Sequence, residues 1–352
     1  MRFVFAASVA AMACGQQADL EALVENEQWR QASALADRRL PSGAKDARLQ
    51  YLAARIRMAY ADLDGAATLA ERAAELDPRS ADYQDLLFEV YGSQAQQASI
   101  LRQAGLARKC KKAVDRAIEL DPKHIEALIG SMLYLYQAPG LFGGDKKRAL
   151  AIPGLIGAFN PGRGHLAQAR LDVMEKQPAK ARESYRKAVA ADPNLQLARV
   201  LLSRSLASLD PPDLPRAEAE ARQAVRIDPK RVNGWEALAY ALGRQDKGTE
   251  LDQAVAEMGR ALPDEFSGIF YGGRGLLDGG KDLVKAESLF RQYLTQPAQG
   301  PQRPSPAATH LSLALTLEKL GRKNEAVAAL EAGARIDPRH QAIQKELKRL
   351  RG

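Results

Sequence analysis

The chain of 352 residues is 46% hydrophobic but only 6% aromatic, so small side chains, alanine above all, stand where a single large globular core would want bulk. No run of about 20 apolar residues is present to span a bilayer as a helix. The formal charge of +8 invites a nucleic-acid partner, a reading that the placement of the charges has to decide.

At the amino terminus, Met1-Arg2 and the apolar stretch Phe3 to Met12, interrupted by Ser8, look like a short secretory signal over residues 1–13. Cleavage after Ala13 would leave Cys14 first. That arrangement resembles a bacterial lipoprotein box, with Ala11 where the box usually has Leu, so lipidation of Cys14 and ordinary cleavage are both open. The alternative is a short apolar first helix packed on the rest of the chain. Asp19 to Leu40 reads as a shortened helical hairpin around Trp29, closed near Pro41, and Ala47 to Pro78 as a second with Asp62 to Gly65 as its inner turn. Ala81 to Pro122 is longer, and its polar stretch Ser93 to Gln97 extends the first helix or forms the turn. Cys110 takes a small-residue position there, which favours packing over a reactive thiol.

The next unit, His124 to Pro161, is split by a Gly-rich insertion at 138–145, and Pro153 is predicted to kink or divide its second helix at a cost of about 3 kcal/mol. His165 to Pro193 and Leu197 to Pro229 follow, the second with a stiff Asp210 to Pro215 connection. Asn233 to Pro263 contains Trp235. Glycines at 268, 272, 273, 275, 279 and 280 should leave the unit Phe266 to Pro297 either locally weak or tightly packed. A Pro- and Gln-rich linker, Gln296 to Pro306, precedes the cleanest stretch, His310 to Pro338. Two apolar stripes at helical spacing meet there at Gly321, which supplies the flexible or left-handed residue needed for the turn. Residues 339–352 read as an amphipathic helix capping the array.

Counting back from the stop prolines gives the same small residues repeatedly. Ala66, Ala149, Ala181, Ala217 and Ala326 lie twelve residues before their prolines, and Ala73, Ala117, Ala188 and Ala224 lie five before, with Gly333 as the departure. Pro193, Pro229, Pro263 and Pro297 are separated by 36, 34 and 34 residues. A period in that range means stacked helical hairpins. The pattern is similar to the tetratricopeptide repeat, most clearly at 310–338 and also at 111–122, 181–193 and 217–242. The resemblance covers roughly residues 20–350. It implies an all-α solenoid of about eight to nine hairpins over 19–338, wound as a right-handed superhelix whose first helices line a concave face.

A search for chemistry finds no phosphate loop, Cys-x-x-Cys pair, His-Glu-x-x-His helix or nucleophile elbow. The sequence therefore predicts no enzyme, cofactor or metal site. His124, His165 and His340 are assigned to inter-unit turns, and His310 to packing. In the family that the pattern resembles, groove side chains lie 4, 7, 11 and 14 residues after each stop proline. That register selects Asp82, Asp85, Glu89, Glu126, Tyr136, Arg204, Asn233, Tyr240, Phe270 and Arg274 as protein-binding residues. These are acidic towards the start and mixed towards the end, while the positive excess falls on second helices and the terminal helix, so nucleic acid is not expected. A single Asn at a groove position argues against the family's carboxylate-clamp subtype. The resulting expectation is a protein- or peptide-binding scaffold in a bacterial envelope assembly, periplasmic or lipid-anchored through Cys14. The alternatives are a cytoplasmic location and a small-molecule or lipid carrier with its cavity beside 138–145.

Overall fold

In a computed structural model, which describes residues 19–296 and 304–351, the described residues are helical throughout apart from turns and short connections. The expected signal segment, Cys14 and most of the Pro- and Gln-rich linker lie outside the described residues. Among the described residues nine hairpins follow one another: α1 (Leu20–Glu25) with α2 (Trp29–Arg39), α3 (Ala47–Ala59) with α4 (Leu63–Leu76), α5 (Ala81–Gln97) with α6 (Ile100–Leu120), and α7 (Ile125–Gln137) with α8 (Lys146–Gly157). Then come α9 (Pro161–Met174) with α10 (Pro178–Ala191), α11 (Gln196–Ala207) with α12 (Leu214–Ile227), and α13 (Val232–Arg244) with α14 (Gly248–Ala261). The series ends with α15 (Ser267–Gly279) and α16 (Leu283–Leu294), α17 (Pro306–Lys319) and α18 (Lys323–Ile336), and a final α19 (Gln341–Arg351). Most helices pack on the one that follows, the arrangement of an α-solenoid, and α13 is an exception that packs mainly on α15.

Local chemistry sets the punctuation. The stops carry Asp immediately before Pro, and the Asp side chain accepts a hydrogen bond from the amide two residues on. Arg79, Lys123, Asn194, Lys230 and Arg339 donate in this way to Asp77, Asp121, Asp192, Asp228 and Asp337. Inside the hairpins, Gly321 has φ +78° as its turn requires, and Glu27, Ala61, Lys176 and Asp246 accept the same left-handed conformation despite their Cβ atoms. The repeated alanines form the contact line between helices: Ala66, Ala149, Ala217 and Ala326 are fully buried, as are Ala73, Ala117, Ala188 and Ala224. Gly333 departs from that line for a steric reason. A Cβ there would lie 2.8 Å from Ile343 Cδ1 and 3.1 Å from His310 Cβ, since α19 buries Ile343, Leu347 and Leu350 against the last hairpin.

One expectation is overturned, that for Pro161 and His165, and two that left alternatives open are narrowed. Pro153 sits inside α8, which runs unbroken from Lys146 to Gly157 and is not divided. Pro161 does not stop a helix but opens α9 at its first turn, where its missing N–H costs nothing, and His165 therefore lies within α9 and not on a turn. The glycine cluster resolves to tight packing. A Cβ on Gly275 would lie 2.3 Å from the Tyr240 carbonyl oxygen, and one on Gly243 would lie 2.4 Å from that of Gly272, so α13 and α15 touch backbone to backbone. Among the described pairs of first helices this is the most extensive contact.

Candidate functional site

The packing also defines an inner and an outer side. Successive first helices touch across α1–α3, α3–α5, α5–α7, α11–α13, α13–α15 and α15–α17, whereas successive second helices are not packed to that extent. A stack that is closer along one layer than the other must curve towards the closer layer, so the first helices form the inner wall of a trough. The curvature carries far enough to bring the first hairpin to the turn between the seventh and eighth. Arg30 donates to Asp264 at 2.8 Å and Gln31 to the other oxygen of that carboxylate at 3.1 Å. The array is therefore closed at this point by a contact between hairpins far apart in the sequence.

The four register positions are not equivalent. Seven residues after the stop proline, in the fourth, sixth and eighth hairpins, the side chain is buried against the adjoining hairpin, with Ile129 7%, Val200 0% and Phe270 5% exposed, whereas Arg48 and Glu236 hold the same position half-buried. Phe270 belongs to a core cluster with Phe290 and Tyr293, at ring separations of 5.5 and 5.8 Å, and its assignment to a ligand-facing position is corrected accordingly. Asp85 occupies this same position as a carboxylate. It is 7% exposed, and its Oδ1 has no hydrogen-bond partner. Burial, and then the charge of Glu89, push its pKa up to about 7.

The surrounding charges come from four first helices, α3, α5, α7 and α9. Asp82 is exposed and lies 2.9 Å from His124 Nε2, a hydrogen bond that lowers the Asp82 pKa and raises that of His124. His124 also accepts from the Ala127 amide and so caps α7. Glu89 remains reachable by water yet is crowded by the curved wall, whose desolvation raises its pKa against the pull of Arg55 and Arg170. Glu126 pairs with Arg163 of α9. Arg48 and Arg55 are absent from the register counted from Pro78 onward; counting from Pro41 gives both. Their guanidinium groups lie over the Tyr51 ring at 4.7 and 5.9 Å.

The far part of the wall is a chain of polar contacts. Asn233 accepts from Gln196 at 2.7 Å. Arg204 meets Glu236 at 2.9 Å, and desolvation raises the pKa of that glutamate. The Tyr240 hydroxyl lies 3.0 Å from Asp278, which also accepts from Arg274 at 2.9 Å. Tyr136 stands apart, with the Lys146 ammonium 5.1 Å from its ring centre. At the closure, burial, Glu236, Asp264 and Glu27 together push Glu265 up to about 7. No group of three His, Cys, Asp or Glu side chains among the described residues is arranged to hold a metal ion. Cys110 is buried, and that burial pushes its thiol up to about 11 in spite of the neighbouring lysines, so it stays protonated.

Comparison with known families adds one local match. Residues 307–340 match the tetratricopeptide repeat. This unit comprises α17, α18 and the turn that leads to α19, and the same two-helix plan recurs along the array. Similar solved structures include a tetratricopeptide repeat protein from Parabacteroides merdae, at 13% identity, covering 87% of this chain and 99% of that one, with a TM-score of 0.45. The Cut9 and Hcn1 hetero-tetramer of the APC/C gives 13% identity, 94% and 75% coverage and 0.43. Yeast Tom70 gives 12% identity, 94% and 87% coverage and 0.42. No curated protein sequence matches the chain.

Proposed function

We propose that this chain is a non-catalytic scaffold that holds a polypeptide partner in the trough lined by its first helices, as part of a bacterial envelope assembly. The observation that supports this reading most is Asp85. At a position that is apolar in the fourth, sixth and eighth hairpins, as Ile129, Val200 and Phe270, the third holds a nearly buried carboxylate whose Oδ1 has no hydrogen-bond partner among the described residues, a cost that folding alone does not repay and that a partner's donor would offset. Arg55 and Arg170 act on the same wall without an ion-pair partner among the described residues, so both signs of charge are available to an extended segment. Export and attachment through Cys14 belong to this proposal as its cellular setting.

The experiment is affinity capture of tagged full-length protein from native membranes, with Glu89→Lys, Arg204→Glu and the outer-face variant Lys180→Glu side by side. The reading requires a defined polypeptide that the two trough variants lose and the outer-face variant keeps. Loss in all three, or in none, contradicts it.

A further inference from the structure

The Gly-rich insertion is a built element on the side of the molecule away from the trough. A 3-10 turn, Gly140–Phe142, ends at Gly143 with φ +87°, and a Cβ on Gly144 would lie 1.8 Å from the Ala138 carbonyl oxygen, so both glycines are required by the path of the chain. The Tyr134 hydroxyl donates to the Phe142 carbonyl at 2.7 Å and lies 3.2 Å from that of Ala107, which ties the loop to α6. The Asp145 amide donates to the Leu135 carbonyl at 2.8 Å, and the Asp145 side chain caps α8. What this well-fixed loop displays is Leu141, 89% exposed. Leu101 of α6 is 92% exposed, and it shares a helix stripe with Ala104 and Arg108, three and seven residues on. On the next second helix, α8, Leu150 and Leu155 are 48% and 53% exposed.

Between the loop and α6 opens a cavity of about 490 Å³ lined by Arg108, Lys111, Lys112, Tyr134, Leu141 and Phe142 among others. Lys111 is held by Asp115, whereas Arg108 and Lys112 form no ion pair among the described residues. Residues 100–150 hold ten Lys and Arg against five Asp and Glu, a net +5 out of the +8 of the whole chain, which makes this the main seat of its positive charge.

We infer that the outer face formed by α6 and the 138–145 loop docks on an anionic phospholipid bilayer, with Leu101 and Leu141 entering the headgroup boundary and Arg108 and Lys112 meeting lipid phosphates. Cations with their alkyl stems, placed around leucines that point into water, fit a surface that is anionic above and apolar below. A free phosphate or a nucleic acid would use the cations and leave the leucines unexplained. Because α6 and α8 are second helices, a molecule seated in this way keeps its trough open to a partner.

The test is flotation of the full chain with vesicles of phosphatidylcholine alone or mixed with phosphatidylglycerol, at physiological ionic strength. Every variant keeps residues 1–18, so differences between variants report the patch. Wild type should partition into the anionic vesicles far more than into the neutral ones. Arg108→Gln with Lys112→Gln should weaken that partitioning about thirtyfold. Leu101→Ser with Leu141→Ser should weaken it about tenfold with unchanged thermal melting, since both side chains are exposed. The proposal is overturned if both pairs float like wild type on the anionic vesicles. It is equally overturned if RNA binds in a way that needs the cations while the leucine pair leaves flotation intact.

Discussion

At the scale of single residues, the account turns on which register positions face inward. The native Asp85 keeps its proton to about pH 7, whereas an Asp in the unfolded chain loses its own near pH 4, roughly. Between those values the native state binds more protons than the unfolded one, so this residue makes stability fall as pH rises, and the loss is complete above about pH 7. Asp85→Asn should therefore raise the melting temperature at pH 8, by about 1–3 kcal/mol of stability, and the gain should shrink towards zero below about pH 4. A calorimetric series of the variant against wild type across that range checks both the sign and the window. The sequence register located Asp85 but not its burial, because spacing from a proline states which helix turn a residue occupies and not how close the next helix lies. Phe270 was misplaced for the same reason. Gly333 shows the converse: its departure from the alanine pattern was visible, and its cause, Ile343 of α19, was not.

At the scale of elements, the hairpins were legible because each depends on local signals: Asp-Pro stops, alanines at a fixed distance and a left-handed residue in the inner turn. Helix contacts were less so. The glycines of α15 left weakness and close packing equally open until the backbone distances to α13 decided between them. Gly275→Ala should be destabilising by about 2–3 kcal/mol, although alanine favours the helix in isolation, because the new Cβ meets the Tyr240 carbonyl oxygen at 2.3 Å and must push two backbones apart. Chemical denaturation of the variant measures this. An unchanged or raised midpoint would mean that α13 and α15 are not in contact there. Pro153 and Pro161 mark the limit of proline as punctuation: both lie inside helices, Pro161 in a first turn that needs no donor.

At the scale of the whole molecule, curvature is the sum of small differences between inner and outer contacts over nine hairpins, and no short motif in the sequence encodes that sum. The contact of Arg30 and Gln31 with Asp264 was accordingly invisible before the fold was known. It is a partly exposed pair in a field of carboxylates, Glu27, Glu236 and Glu265, so it is weak by itself and sensitive to charge. Arg30→Glu should open the closure and enlarge the radius of gyration in solution scattering. The increase should be larger at pH 8, with Glu265 ionised, than at pH 5, with it neutral. Equal dimensions for variant and wild type at pH 8 would show that the first hairpin is held by something else.

The central claim is that the first helices grip a polypeptide while the second helices do not. Its most direct measurement places a photo-activated cross-linking side chain at Glu89 or Arg170 in the trough, and separately at Lys180 on the outside, in protein assembled in its native extract. The account predicts one defined polypeptide adduct from both trough positions and none from Lys180. Adducts from Lys180 alone, or the same adduct from all three positions, would contradict it.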